Sequence, residues 1–194
     1  MTARKISSLT VYCGSSPGKK PVYQKAAEDL GSFLAKNKIK LIYGGGQRGL
    51  MGALADSCMK DGGRVMGIIP DFMVDLEWAH PDIQDLKIVS SMTARKELLL
   101  NEADAMMVLP GGIGTLEEFS EVLSWSQLGL HKKPIGFYNV EGFYDSFLAF
   151  LNHMIDEGFC PISTLDLILV DEDLPTLFSR MAAFVHHGQK KTQD

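Results

Sequence analysis

An open, doubly wound α/β sheet is the fold class this sequence predicts, and three observations carry the prediction. Short β-type runs alternate with helical patterns along the chain, the order expected of strand–helix units feeding one sheet. Several of the runs are apolar almost throughout, as parallel strands covered on both faces are. Small-residue turns follow the first, second and fifth runs, at the strand ends where ligands of such sheets bind. The expected architecture is Rossmann-like and mostly parallel, with about seven strands and helices on both faces.

Taken in order, the first strand covers residues 8–13 and runs into Cys13-Gly14-Ser15-Ser16. Residues 22–36 place Val22, Ala26, Leu30, Phe33 and Leu34 at helical spacing. A second strand, 40–43, precedes Gly44-Gly45-Gly46-Gln47-Arg48-Gly49 and a helix over 50–60. The third strand, 64–69, leads into the one irregular segment, 70–86, with Pro70, Pro81 and several acids. That segment is long for a connection, which predicts a functional loop or a short helix within it. Strand 87–89, helix 93–102 and strand 104–109 follow, then Pro110-Gly111-Gly112-Ile113-Gly114-Thr115 and a helix over 116–128. Strand 134–138, helix 144–157, strand 167–170 and helix 174–185 complete one nucleotide-binding domain over residues 1–188, with a polar tail over 189–194. The neighbouring His186 and His187 read as part of a solvated end rather than as metal ligands.

Composition narrows the function classes. The 194 residues carry a formal net charge of −5, which argues against a general nucleic-acid binder. Three cysteines, Cys13, Cys58 and Cys160, are widely spaced and form no zinc or disulfide pattern, so they read as reduced thiols of a cytoplasmic protein. The N-terminal residues lack the apolar core of a signal peptide, and no apolar run approaches the roughly 20 residues of a membrane span. Neither membrane nor nucleic acid is expected as a partner.

The three turns are the candidate ligand sites, because exposed backbone N–H groups and helix N-termini bind anions. Gly14, Ser15, Gly45, Gly46 and Gly111 are accordingly expected at a phosphate or nucleotide. Gly44, Gly46 and Gly49 also fit GxGxxG, but the dinucleotide reading fails on position: the motif follows the second strand, and residues 64–69 contain no ribose-binding acid. Thr115 and Glu118 fit a capping box, with Thr115 as N-cap and Glu118 reaching back. A cap alone needs no run of glycines before it. Arg95 and Lys96 fall near a helix start, where cations oppose the helix dipole, so an anion or a carboxylate partner is expected there, Glu97 or Glu102 being the local choices. Asp82 and Asp85 read as surface charge, Met106 and Met107 as core, and His80 as a lone loop histidine. Walker A and GxSxG motifs are absent.

Gly44-Gly45-Gly46, Met92-Thr93-Ala94-Arg95-Lys96 and Pro110-Gly111-Gly112-Ile113-Gly114-Thr115-Leu116-Glu117-Glu118 together resemble the Lonely Guy family of cytokinin riboside 5′-monophosphate phosphoribohydrolases. The family's paired signature is an Arg-Lys segment followed by PGGxGTxxE, and the resemblance runs from Cys13 to about Val170. Trp125-Ser126-Gln127-Leu128-Gly129 and Lys132-Lys133-Pro134-Ile135-Gly136 also look like family segments, while Ser124 stands where many relatives have Thr. The resemblance implies hydrolysis of the N-glycosidic bond of an adenine-type riboside 5′-monophosphate, plain or prenylated, to free base and ribose 5-phosphate. It implies a homodimer and neither metal nor organic cofactor. By motif position, Arg95 and Glu118 are the catalytic pair. Glu77, Met92, Lys96, Gly112, Ile113, Gly114, Thr115, Leu116, Glu117 and Ser124 line the substrate site. Arg95 is left three roles: orienting Glu118, holding phosphate, or assisting departure of the base. Such proteins are often labelled lysine decarboxylases, yet nothing in this sequence reads as a pyridoxal phosphate site. The alternative is a non-catalytic nucleotide carrier or sensor on the same fold.

Overall fold

The computed structural model describes residues 4–76 and 78–186. Glu77 and residues 187–194, which include the expected polar tail, lie outside the described residues. The strands are β1 Ser8–Tyr12, β2 Lys40–Tyr43, β3 Val65–Pro70, β4 Asp85–Val89, β5 Ala105–Val108, β6 Ile135–Tyr138 and β7 Ile168–Asp171. The helices are α1 Pro21–Lys36, α2 Gly49–Lys60, α3 Asp71–Asp75, α4 Met92–Asn101, α5 Ile113–Gln127, α6 Asp145–Asp156 and α7 Leu174–Ala183. The strands form one seven-stranded sheet in the order β4-β3-β2-β1-β5-β6-β7, and every pairing is parallel. The short α3 is the helix expected inside the irregular segment.

Alternation along each strand divides the core between the two faces of the sheet. Leu9, Val11, Leu41, Tyr43, Ala105 and Met107 pack with Leu30 and Leu34 of α1, Leu54 of α2 and Leu177 of α7. Tyr12, Ile42, Ile68, Met106 and Val108 pack on the other face with Leu99 of α4, Phe119 of α5 and Leu151 of α6. Met106 and Met107 are thus both core residues, one on each face. Thr10 is a buried polar exception whose hydroxyl donates to the Leu99 carbonyl of α4 at 2.6 Å.

The strand order reverses between β1 and β5, which makes their carboxyl ends the switch point of the sheet. Two of the glycine-bearing turns meet there. The Gly14 N–H donates to the Pro110 carbonyl at 3.0 Å, and the Leu50 N–H at the head of α2 donates back to the Gly14 carbonyl at 3.0 Å. A side chain at Gly14 would come within 3.3 Å of the Gly111 Cα. The fold therefore gathers the turns after β1, β2 and β5 at one edge.

One expectation is overturned at that edge. α5 begins three residues before the expected start, with Gly112 as N-cap and no side-chain cap. Thr115 is then inside the first turn, 4% exposed, and the Thr115–Glu118 capping box does not form. The physical reason is close approach: the Thr115 hydroxyl occupies the space that any Cβ on Gly111 would take. Glycine tolerates the N-cap position well enough to let the helix start early.

Candidate active site

Arg95 is the centre of the site. The Ser91 hydroxyl caps α4 by accepting the Ala94 N–H at 3.1 Å, which fixes the turn that carries Arg95. Arg95 Nε donates to the Ile68 carbonyl at 3.1 Å and Nη2 to the Gly44 carbonyl at 3.3 Å, so its guanidinium lies across the ends of β2 and β3. Met92 Sδ, one turn back, accepts weakly from Nη1 at 3.9 Å. A Cβ on Gly44 would come well inside van der Waals contact of Nη2, so glycine at that position makes room for the buried cation.

Glu118 projects from the second turn of α5 toward the same guanidinium. Its Oε1 stands 3.6 Å from Arg95 Nη1, an ion pair too long for a hydrogen bond, with the two side chains 11% and 9% exposed. Burial pushes the Glu118 carboxyl up to about 7, against the pull of Arg95. Glu117 and Glu121 push it further up, while Lys96 pulls it down. A carboxyl with that proton affinity exchanges a proton near neutrality, which suits acid–base work.

Lys96 does not pair with the local acids Glu97 or Glu102. Its Nζ sits 2.5 Å from Glu117 Oε1 and 2.7 Å from Glu121 Oε2, tying α4 to α5. Those two hydrogen bonds hold the lysine above its ordinary range, as an ammonium. A Schiff-base lysine needs the free amine, so Lys96 is unsuited to pyridoxal chemistry.

The N-terminus of α5 is open. Its first intrahelical bond runs from the Leu116 N–H to the Gly112 carbonyl at 3.1 Å, and no side chain caps the N–H groups of Ile113, Gly114 and Thr115 ahead of it. The space beside Gly112 and Gly114 is empty to beyond 4 Å, Ile113 is 82% exposed, and Ser15 is exposed on the adjoining turn. The Thr115 hydroxyl has no hydrogen-bond partner among the described residues. Leu116 packs on the core beneath. Ser124 is exposed but lies six residues beyond Glu118, about 9 Å along α5 and on a different face, so the described residues do not bring it to the Arg95–Glu118 pair.

The turn after β2 differs. Gly44, Gly45 and Gly46 are buried. The Gly45 carbonyl accepts the His80 N–H at 2.9 Å, the Gln47 N–H donates to the Trp78 carbonyl at 3.1 Å, and Gly46 bridges Ala79. Residues 78–80 thus cover this turn. His80 is not a bare loop histidine: it is buried, with Nε2 3.1 Å from Asp56 Oδ1 and Nδ1 accepting the Asp82 N–H at 3.2 Å. It pins the irregular segment to α2. Among the described residues no group of three or more potential ligands is placed to hold a metal ion. Sequence reasoning gave no site role to Tyr12, which ends β1, or to Cys13 just past it, although both lie inside the field of Glu118 and are held protonated chiefly by burial. Only their place at the switch point could have marked them.

Comparison with known proteins bears on what this arrangement does. The family model described as "Possible lysine decarboxylase" matches residues 51–181. Over 158 residues the chain is 46% identical to cytokinin riboside 5′-monophosphate phosphoribohydrolase LOG7 of Arabidopsis thaliana, covering 81% of this chain and 73% of that one. The chain belongs to the Lonely Guy family. A second family member, the probable phosphoribohydrolase LOGL9 of Oryza sativa subsp. japonica, is 42% identical over 93% of this chain and 80% of its own. Among solved structures, the molybdenum cofactor carrier protein of Chlamydomonas reinhardtii superposes with a TM-score of 0.68 at 16% identity, over 93% of this chain and 98% of that one. The molybdenum cofactor binding protein of Rippkaea orientalis gives 0.64 at 19% identity, over 86% and 89%. At such identities these two likenesses speak to the fold alone.

Proposed function

We propose that this family member hydrolyses the N-glycosidic bond of an adenine-type riboside 5′-monophosphate, plain or N6-prenylated, releasing the base and ribose 5-phosphate. One observation carries the reading: α5 presents an uncapped, glycine-lined N-terminus and, five residues on, a buried carboxylate facing a buried arginine. Five residues rise about 7.5 Å along a helix, which sets the carboxylate apart from the open N–H groups, so that a phosphate at the N-terminus and the carboxylate fall at opposite ends of one small ligand. The names of the relatives, phosphoribohydrolases acting on cytokinin riboside 5′-monophosphates, support the same chemistry.

In the proposed reaction the 5′-phosphate rests on the N–H groups of Ile113, Gly114 and Thr115, the Thr115 hydroxyl and the neighbouring Ser15, Gly111 and Gly112, while Gly14, whose N–H and carbonyl are bonded within the protein, lets the two turns approach. A monoester needs no P-loop lysine when a helix N-terminus faces it. Cleavage of the C–N bond builds positive charge on the ribose, an oxocarbenium-like state. The Glu118 carboxylate stabilises that charge and activates the attacking water, an effect worth about 3–4 kcal/mol for a preorganised group. With Nε and Nη2 bonded to carbonyls, Arg95 has Nη1 left for Glu118, which favours an orienting role. The rival reading, a nucleotide carrier, needs only the phosphate nest and leaves the Arg95–Glu118 pair unexplained.

Met92, Glu77, Glu117 and Ser124 belong to the proposed substrate site on motif position. A homodimer and a cytoplasmic location belong to the same reading. Exposed Phe143 and Phe150 around α6 support an interface, whereas Leu99 and Leu100 are buried in this chain's own core. No helix among the described residues is long and apolar enough to cross a membrane. The test is to incubate the protein with AMP, isopentenyl-AMP, GMP, CMP and adenosine and to measure free base. Release from the adenylates and little from adenosine is expected. Tight nucleotide binding with no base released from any of them would establish the carrier instead.

A further inference from the structure

The titratable groups around Glu118 come from α4, α5 and the end of β1. α4 contributes Arg95 and Lys96, α5 contributes Glu117 and Glu121, and β1 ends beneath it in Tyr12 and Cys13. Burial keeps the last two protonated, so the local field is set by the other four. Arg95 faces Glu118 directly at 3.6 Å. Glu117 and Glu121 are the two like charges on the same helix, one residue before it and three after, and each disfavours its ionised form.

Lys96 meets those two carboxylates rather than open solvent. With contacts of 2.5 and 2.7 Å, its charge is taken up by these two carboxylates, Glu117 itself remaining about half exposed at 49%. Two of its three N–H donors are taken, so a substrate phosphate would compete with both carboxylates for its charge. Arg95 and Lys96 are adjacent, so a single turn of α4 grips α5 at Glu117, Glu118 and Glu121 together. We propose that Lys96 is a positioning residue that offsets half the charge of Glu117 and Glu121 and thereby holds Glu118 ready to ionise opposite Arg95, rather than a ligand of the substrate phosphate. The inference rests on the hydrolase reading for its use, but the property it assigns belongs to the ligand-free protein.

The three side chains carry a formal net charge of minus one together. Lys96→Met takes it to minus two, the triple variant Lys96→Met/Glu117→Gln/Glu121→Gln to zero, and Glu117→Gln/Glu121→Gln to plus one. The protonation midpoint of Glu118 then follows the charge: highest in Lys96→Met, then wild type, then the triple variant, and lowest in Glu117→Gln/Glu121→Gln. Each step is expected to be on the order of half to one pH unit. The measurement is a carbon-13 carboxyl NMR titration of the free protein, with the Glu118 resonance assigned by its loss in Glu118→Gln. Lys96→Arg should return the midpoint to the wild-type value. A merely mechanical clamp would move every disrupted variant in the same direction, so that pattern would overturn the proposal. So would an unchanged Glu118 midpoint in Lys96→Met with KM for AMP raised and kcat preserved, the signature of a phosphate ligand. If Lys96→Met does not fold, the triple variant read against Glu117→Gln/Glu121→Gln still decides, since the two differ only at Lys96: a higher midpoint in the triple variant supports the proposal and an equal one ends it. Failure of base release in every variant and in wild type would sink the hydrolase reading and leave the titration result standing.

Discussion

The turns after β2 and after β5 look alike in sequence and differ in what they face. Each is glycine-rich, and each joins a buried strand to a helix. In Gly44-Gly45-Gly46 the glycines are covered: residues 78–80 bond to the turn, and the space over Gly44 belongs to the Arg95 guanidinium. In Gly111-Gly112-Ile113-Gly114 only Gly111 is closely approached, by Thr115 of the same turn, while Gly112 and Gly114 face empty space. Glycine therefore makes room for the buried Arg95 in one turn and leaves open space in the other. What separates them is the long 70–86 segment, which folds over the first turn and leaves the second open.

The largest expected effect tests the open turn's helix. Glu118→Gln should lower turnover by about 10²–10³-fold, the loss of one preorganised electrostatic group. AMP binding should weaken far less, because the ground-state sugar is neutral. Base-release rates and AMP titration on the one variant separate the two. Near-normal turnover would remove Glu118 from the chemistry and make Glu121 the next candidate.

The pH dependence of stability follows from the same residue. Burial raises the folded-state proton affinity of Glu118 from 4.5 to about 7. Between those values the folded protein binds more protons than the unfolded chain, so stability falls as pH rises. The contribution is fully present below about 4.5 and lost above about 7, to an extent of up to about 3 kcal/mol. Glu118→Gln should remove this dependence, so the melting difference between variant and wild type should shift in the variant's favour from pH 5 to pH 8. Turnover of the wild type should rise with pH through about 7 if the carboxylate is the working form. The ionisation of the 5′-phosphate, near 6, lies about one pH unit lower.

A matched pair of substitutions sharpens the contrast between the turns. Gly44→Ala places a methyl group on Arg95 Nη2 and should cost about 1–3 kcal/mol of stability, with turnover falling as the arginine is displaced. Gly112→Ala meets nothing within 4 Å and has an extended backbone that alanine adopts, so its melting temperature should stay close to wild type. Its effect should appear as a raised KM for AMP. Equal destabilisation by the two would erase the distinction.

The smallest effect concerns Thr115. Thr115→Val keeps the shape that fills the space over Gly111 and removes only the hydroxyl. Loss of one hydrogen bond to phosphate should weaken AMP binding by about five- to tenfold, near 1–1.5 kcal/mol. Adenosine binding should be unchanged, which calorimetry with both ligands would show.

Much of this was legible in the residues. Helix over 22–36 and strand over 40–43 are set by local periodicity, and α1 and β2 fall there to within a residue. The Arg-Lys and PGGxGTxxE segments pointed to one site because both follow strand ends of a single sheet. The start of α5 was misplaced because Thr-x-x-Glu is a local capping signal. Packing of Thr115 against Gly111 and burial of Glu118 against Arg95 outweigh it. The partners of Lys96 were sought at Glu97 and Glu102, its sequence neighbours; the true ones lie 21 and 25 residues away.

By itself, the sequence determined the strand–helix order, the apolar spacing of α1, and the family. These depend on side-chain periodicity and on motifs that are contiguous in the chain. Only the tertiary structure decided which glycine turn stays open, that Gly44 makes room for Arg95, and that burial raises the proton affinity of Glu118 to near neutrality. Each of those depends on distances between groups far apart in sequence and on the removal of water around them. Neither quantity is written in the local order of residues.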